Sequence, residues 1–495
     1  MQMPERAKLI LTMRDLAEKA LDAVTRRGVT YADVRAEQSR DRQISTRNGR
    51  PGQIASWESL GIGIRVIADG CWGFAATDDL STRGIGRAAD LAVEIARSGA
   101  LAKKADVHLA PEDAYTADWA SPCRIDPFTI PVEDSIALLI RIDAELRRTE
   151  GITLSETSYV CSRKTQYFAS SIGSRISQTR TVTGAGFSAF SYKDDELQKR
   201  SYPNSFGGQY QLKGYELIDE LDLLTHAPRI AAEAVALHSA DPCPEGEYNL
   251  ILDGSQLGLQ IHESIGHPIE LDRVLGSEAN YAGMSFLTLD QLNTLRYGSD
   301  IVNVTCDARE AHGPGLGTFA YDDEGVPAQC VNIIRNGQFT GYMTSRETAP
   351  AIGAERSNGT MRAEAWNRLP LIRMTNVSLL PGHQTLDEVF DTDGIYMETN
   401  RSWSIDDKRY NFQFGCEAAW EIRGGRRVRM LKNPVYSGIS TEFWNACDAI
   451  SGPRHWTLWG VPNCGKGQPE QVMGTGHGAS PSRFRQIKTG NARPD

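Results

Sequence analysis

The chain has 495 residues, 40% of them hydrophobic and 23% charged, with a formal net charge of −10. These values exclude a fibrous or low-complexity protein and point to a globular one large enough for two or three domains. The acidic balance is spread along the chain and argues against nucleic acid or an anionic membrane as the partner.

The first predicted element is an amphipathic helix from about Pro4 to Arg27, ended by Gly28. Its apolar run is cut by Arg14 and Asp15, which does not suit a secretory signal, and nowhere do about eighteen apolar residues run together. Nine scattered cysteines then read as reduced thiols in a cytoplasmic protein. Strands are expected over Val34 to Asn48 and Ile54 to Thr77, turning at Asn48-Gly49 and Asp69-Gly70. Ser81 suits an N-cap for a helix through Ser98, with Ala88, Leu91 and Ile95 on one face. After a polar passage around 110–131, Pro131 suits the first turn of a helix to Thr149. Strands return from Thr153 to Tyr192, and a helix from Leu217 to Leu237. The segment from His238 to Gly246 reads as a linker. Beyond it strands, turns and glycine dominate, apart from a short helix near Ile261 and another over Thr385 to Val389. The expected class is α+β, with an N-terminal helix-plus-hairpin domain over 1–241, whose candidate subdivision lies near 110, and a strand-rich domain over 242–495 carrying a short irregular helix.

That helix carries the chemistry. Asn249 to Leu252 reads as a buried strand, Asp253-Gly254-Ser255 as turn and N-cap, and Leu257, Ile261 and Ile265 as a buried stripe. His262-Glu263-Ser264-Ile265-Gly266-His267 has the composition of a metallopeptidase helix, in which two imidazoles bind metal and the carboxylate between them works on water. The histidines are five apart rather than four. On a regular helix that separates them by about 140°, too wide for one ion. The helix must therefore be distorted near Gly266 to Pro268: glycine permits unusual angles, and Pro268 disfavours helical geometry at His267. A catalytic zinc needs a third protein ligand, with Cys464, His477, His455, His383, Cys447 and Cys416 available. Cys464 stands out in Val461-Pro-Asn-Cys-Gly-Lys-Gly-Gln, an expected exposed loop where Lys466 would favour the thiolate. His477 is its nearest rival.

These motifs, with Thr30-Tyr-Ala-Asp-Val-Arg, Gly61-Ile-Gly-Ile-Arg, Tyr321-Asp-Asp-Glu-Gly-Val-Pro, Arg373-Met-Thr-Asn and Cys464-Gly-Lys-Gly-Gln, resemble the TldD/PmbA family of modulators of DNA gyrase, in its metal-bearing TldD branch. The resemblance spans nearly the whole chain. It implies a zinc peptidase with His262, His267 and Cys464 as metal ligands and Glu263 as catalytic base, His477 remaining in reserve. It also implies unfolded or extended peptides as substrates, and assembly as a homodimer or with a PmbA-like subunit that lacks the metal motif. The alternatives are a noncatalytic peptide-binding subunit and a metal hydrolase of a small molecule. Tyr281, Arg273, His312 and Tyr321 are candidate oxyanion stabilisers, none assigned. The Asp322-Asp323-Glu324 run reads as a solvated turn rather than a calcium loop, and Trp444, Trp456 and Trp459 as core.

Overall fold

The computed structural model describes residues 5–492 and has a mixed α+β architecture. Its first half contains α1 (Glu5–Thr25), β1 (Tyr31–Arg47), β2 (Arg50–Ala68), β3 (Cys71–Thr77), α2 (Thr82–Ala100) and β4 (Thr116–Ala120). There follow α3 (Val132–Arg147), β5 (Leu154–Ser170), β6 (Arg175–Lys193), β7 (Glu196–Tyr202), β8 (Gln209–Gln211), α4 (Glu216–Leu221) and α5 (Leu223–Ala236). Pro4, where the first helix was expected to begin, lies outside the described residues.

The strands form one sheet in the order β3-β2-β1-β5-β6-β4, with β7 and β8 also on β6. Asn48 and Gly49, and Asp69 and Gly70, all have positive φ, the geometry that two-residue hairpin turns require. Ser81 caps α2 by accepting from the Gly84 N–H. The buried face of α2 is Ile85, Ala88, Ala89, Ala92, Val93 and Ala96, whereas Leu91 and Ile95 are exposed. The small side chains win because the helix lies close on β3: a Cβ at Gly73 would stand 2.0 Å from the Ala92 carbonyl oxygen. The expected 217–237 helix is broken into α4 and α5 at Asp222, which has φ 44°.

Period-2 alternation gives this sheet two different faces. Ala32, Val34 and Ala36 of β1, with Tyr167 and Ala169 of β5, pack beneath α1 and α2. Asp33, Arg35 and Glu37 point the other way and are also buried, against the second half of the chain. There Arg65 bonds Asp33 at 2.7 Å and Glu324 at 3.2 Å, and Gln166 donates to Asp323 at 2.8 Å. The 322–324 run is thus no solvated turn. It is buried, because it carries the carboxylates that answer the charged face of the sheet.

The second half contains β9 (Asp241–Pro242), β10 (Gly246–Leu252), α6 (Gly254–Ile261), α7 (Leu271–Val274), β11 (Val304–Asp307), β12 (Cys330–Arg335), β13 (Gln338–Phe339), β14 (Met361–Arg362) and β15 (Leu371–Ile372). It ends with β16 (Val377–Leu379), α8 (Leu386–Phe390), β17 (Gly394–Ile405), β18 (Asn411–Arg423), β19 (Arg426–Lys432), β20 (Pro434–Ile439), α9 (Ser440–Asn445), β21 (Cys447–Ile450), β22 (Thr457–Lys466), β23 (Gln471–Ala479) and β24 (Ser482–Asn491). β9 lies inside the expected linker and pairs with β19. Strands β17-β10-β24-β20-β18 pair in sequence, and β18 pairs back to β17, so five strands close into a ring. Phe412, Phe414, Tyr436, Phe443, Trp444 and Phe484 belong to the core here, whereas Trp456 and Trp459 are only half-buried. No helix among the described residues is long and apolar enough to cross a membrane.

Candidate metal centre

β10 delivers the chain to the site. Leu250, Ile251 and Leu252 are fully buried, and Asp253 caps α6 by accepting from the Ser255 N–H at 2.8 Å. Leu257, Ile261 and Ile265 enter the core, which fixes the rotation of the helix. Residues His262–Gly266 then form a single π-helical turn, closed by the His267 N–H donating to the His262 carbonyl at 3.1 Å. A π-turn bonds residues five apart, so it does for this spacing what an α-turn does for histidines four apart. The imidazole centroids lie 4.8 Å apart, with the rings nearly perpendicular.

The expected distortion is present, by a different route. His267 keeps right-handed helical angles, φ −68° and ψ −41°, so Pro268 does not expel it from the helix. Nor does Gly266 adopt positive φ. Its role is close approach, since a Cβ there would stand 2.1 Å from Met374 Sδ.

Cys464 comes from the hairpin of β22 and β23, where it pairs with Met473. It is buried and lies in a strand, not in the exposed loop expected from its glycine and proline neighbours. Its Sγ is 3.8 Å from His267 Nε2, and the ligand atoms of His262, His267 and Cys464 all lie within 4.8 Å of one another. Zinc bonds of about 2.0–2.1 Å to nitrogen and 2.3 Å to sulfur put tetrahedral N and S ligands about 3.6 Å apart, so the donor set fits that ion. His383, His455, Cys416 and Cys447 stand outside this cluster.

The surroundings suit metal binding. Burial lowers the pKa of both histidines, keeping them neutral with a lone pair to offer. Burial opposes ionisation of the Cys464 thiol, yet its pKa is lowered, chiefly by His267 and the Arg373 guanidinium. Lys466 is not the cause: its ammonium bonds Asp272 at 2.7 Å and the Ile372 carbonyl at 2.7 Å. Arg373 is fully buried and donates to the carbonyl oxygens of Cys464 and Gln471, tying both strands of the hairpin together beside the sulfur.

Each imidazole is held from behind, as metal-ligating histidines commonly are. His267 Nδ1 lies 3.2 Å from Glu270 Oε2. Burial would raise the Glu270 pKa, but Lys466, His267 and Arg273 hold it well below the usual carboxyl range. His262 Nδ1 faces His477 Nε2 at 2.8 Å, so His477, the reserve ligand, stands behind His262. Glu263 is buried, and its Oε2 accepts from Arg409 Nη1 at 3.3 Å. Glu270, Arg373 and Arg409 were not singled out as site residues in the sequence. Arg373 alone lay in a motif that carried the resemblance. Of the candidate oxyanion stabilisers, Arg273 pairs with Glu270, His312 bonds Ser378 and Tyr281 bonds Glu470.

Three family models match in chain order: PmbA/TldA metallopeptidase domain 1 over residues 32–96, the central domain over 125–239 and the C-terminal domain over 245–488. The chain belongs to the PmbA/TldD metallopeptidase family. A metalloprotease of Methanocaldococcus jannaschii is 29% identical over 451 residues, covering 90% of this chain and 95% of that relative. A zinc metalloprotease TldD homolog of Saccharolobus solfataricus is 30% identical over 208 residues, covering 42% of this chain and 44% of the relative. The fold matches that of TldE from Thermococcus kodakarensis, with a TM-score of 0.72 at 15% identity, covering 97% of this chain and 99% of that one.

Proposed function

We propose that this PmbA/TldD family member is a zinc-dependent peptidase of the HExxxH type, hydrolysing unfolded or extended peptides in the cytoplasm. One observation carries the reading: two imidazoles and a thiol converge within 4.8 Å, with the Glu263 carboxylate in the same helical turn. His262, His267 and Cys464 would hold the ion. Zinc, when bound by three protein ligands, supplies Lewis acidity that polarises a carbonyl and acidifies a water.

The protein's own part is proton handling and exclusion of solvent. Glu263 takes the proton of the attacking water on its carboxylate and returns it to the departing amine. Arg409 holds one oxygen of that carboxylate, which orients the other. Glu270 and His477 fix the imidazoles so that each presents Nε2 to the ion. The ligands and Glu263 are between 3% and 6% exposed, which favours an extended chain over a folded surface as substrate. A second PmbA/TldD-type subunit, identical or metal-free, completes the proposed assembly.

The deciding experiment is Glu263→Gln with zinc measured in the same sample. The expected result is full zinc occupancy with cleavage of an unstructured peptide library reduced by about 10²–10⁴-fold. Cleavage at the parental rate would remove Glu263 from the mechanism. Chelator-insensitive cleavage would remove the metal.

A further inference from the structure

A small cavity of about 30 Å³ lies between the charged face of the first sheet and the second half of the chain. Lys164 and Gln166 of β5 and Gln178 and Arg180 of β6 line one side; Asp322, Asp323, Arg362 and Met473 are among the residues on the other. Since a water needs about 10–15 Å³ of such space, the cavity takes a group the size of a carboxylate. Lys164 and Arg180 are only half-buried, so the space is reachable from solvent.

The charges around it do not balance. Lys164 is paired with Glu37 at 3.1 Å. Asp323 accepts from Gln166 at 2.8 Å and from the Ala363 N–H at 2.7 Å. Asp322 is occupied by the N–H groups of Glu324, Val326 and Met361, and burial pushes its pKa well above the usual carboxyl range. Arg180 and Arg362 remain. Among the described residues neither has a carboxylate within ion-pair distance. Both donate to the same carbonyl oxygen, that of Leu316, which brings two like charges together. Each keeps a buried Nε–H with no acceptor, and Arg362 is 3% exposed. A buried guanidinium and a half-buried one, both with spare donors and without an ion-pair partner, favour an anion between them, and planar forks of this kind match a carboxylate.

The cavity adjoins the metal centre. Met473, one of its lining residues, is the strand partner of Cys464. Arg362 also donates to the carbonyls of Met374 and Gly474, and Met374 is the residue that packs on Gly266.

Resting on the peptidase reading, we infer that Arg180 and Arg362 form a carboxylate subsite that anchors one end of a peptide, either its C-terminus or an Asp or Glu side chain, beside the metal centre. Substrates lacking a carboxylate at that point would leave both guanidiniums uncompensated and bind less well.

The test uses the full chain loaded with zinc and carrying Glu263→Gln, with three matched fluorescent peptides read by anisotropy. One peptide has a free C-terminus and no acidic residue, one is its C-terminal amide, and one is the amide with a single Glu. The expected result is about tenfold weaker binding of the neutral amide, with the better of the other two naming the carboxylate source. Adding Arg180→Gln, a half-buried position checked for folding by circular dichroism, should erase the difference. Equal binding of all three peptides overturns the subsite, as does a preference that survives Arg180→Gln. Cleavage by the unsubstituted chain is followed in parallel. Cleavage without a carboxylate preference sinks the subsite and leaves the peptidase; preference without any cleavage does the reverse. No binding of any peptide sinks both.

Discussion

His262 Nδ1 lies 2.8 Å from His477 Nε2, and His477 Nδ1 in turn lies 3.0 Å from the Val377 carbonyl oxygen. A carbonyl only accepts, so His477 carries its proton on Nδ1. Burial holds the pKa of this ring well below its ordinary value, so it is neutral and its Nε2 is an acceptor. His262 therefore donates through Nδ1 and keeps the lone pair on Nε2, the tautomer a metal requires. His477→Ala should weaken zinc binding by about 10–100-fold in competition with a chromophoric chelator, while His477→Gln, whose amide oxygen can still accept, should lose less. Unchanged affinity in the alanine variant would refute the relay.

Metal analysis of single ligand variants checks the convergence itself. His262→Ala and Cys464→Ala should each drop zinc content from one ion per chain to well below one after dialysis, with the far-ultraviolet circular dichroism retained. Retention of a full ion in the Cys464 variant would transfer the third ligand elsewhere.

Gly266→Ala places a methyl 2.1 Å from Met374 Sδ in a fully buried contact. Overpacking of this kind costs about 1–3 kcal/mol, and here it also pushes on the π-turn. We expect a lower denaturation midpoint together with weaker zinc binding, both partly restored by adding Met374→Ala. A loss of stability without a change in zinc affinity would separate the turn from the site.

Glu216, the first residue of α4, tests the electrostatics of the first half. Burial would raise its pKa, but the backbone N–H groups of Arg124, Ile125 and Gly214, at 2.9–3.0 Å, bring it below 4.5. A lowered folded pKa stabilises the fold above the unfolded value, and this contribution fades as the pH falls through the folded one. Glu216→Gln should therefore lower the urea midpoint at pH 7 and do so progressively less as the pH falls below the ordinary glutamate range. A pH-independent difference would contradict the assignment.

Local signals in the sequence proved readable where short-range geometry decides the outcome. Asn48-Gly49 and Asp69-Gly70 turn as their types require, Ser81 caps its helix, and a five-residue histidine spacing forces a widened turn because no regular helix can satisfy it. What could not be read depends on partners distant in the chain. Asp322 to Glu324 look solvated until the sheet face bearing Asp33, Arg35 and Glu37 is brought against them. Cys464 looks like a loop residue because Gly465 and Pro462 are turn formers, yet pairing with β23 draws the segment into a strand. His477 has the right chemistry for a ligand, and only the alternation of β23, which aligns Met473, Thr475 and His477 on one face, puts it one step behind His262.

The ring made by β17 pairing with both β10 and β18 leaves α6 resting on a wall whose strands are all taken, so the two imidazoles cannot slide in register. The sulfur, by contrast, rides on a separate two-strand hairpin that packs on α6 and is tied in by Arg373 and by the Gly476 N–H to the Thr375 carbonyl. One half of the centre is thus an anchor and the other a buckle. Whatever draws the three donor atoms together also draws the hairpin toward that wall, so an ion held as proposed would brace the second half of the chain.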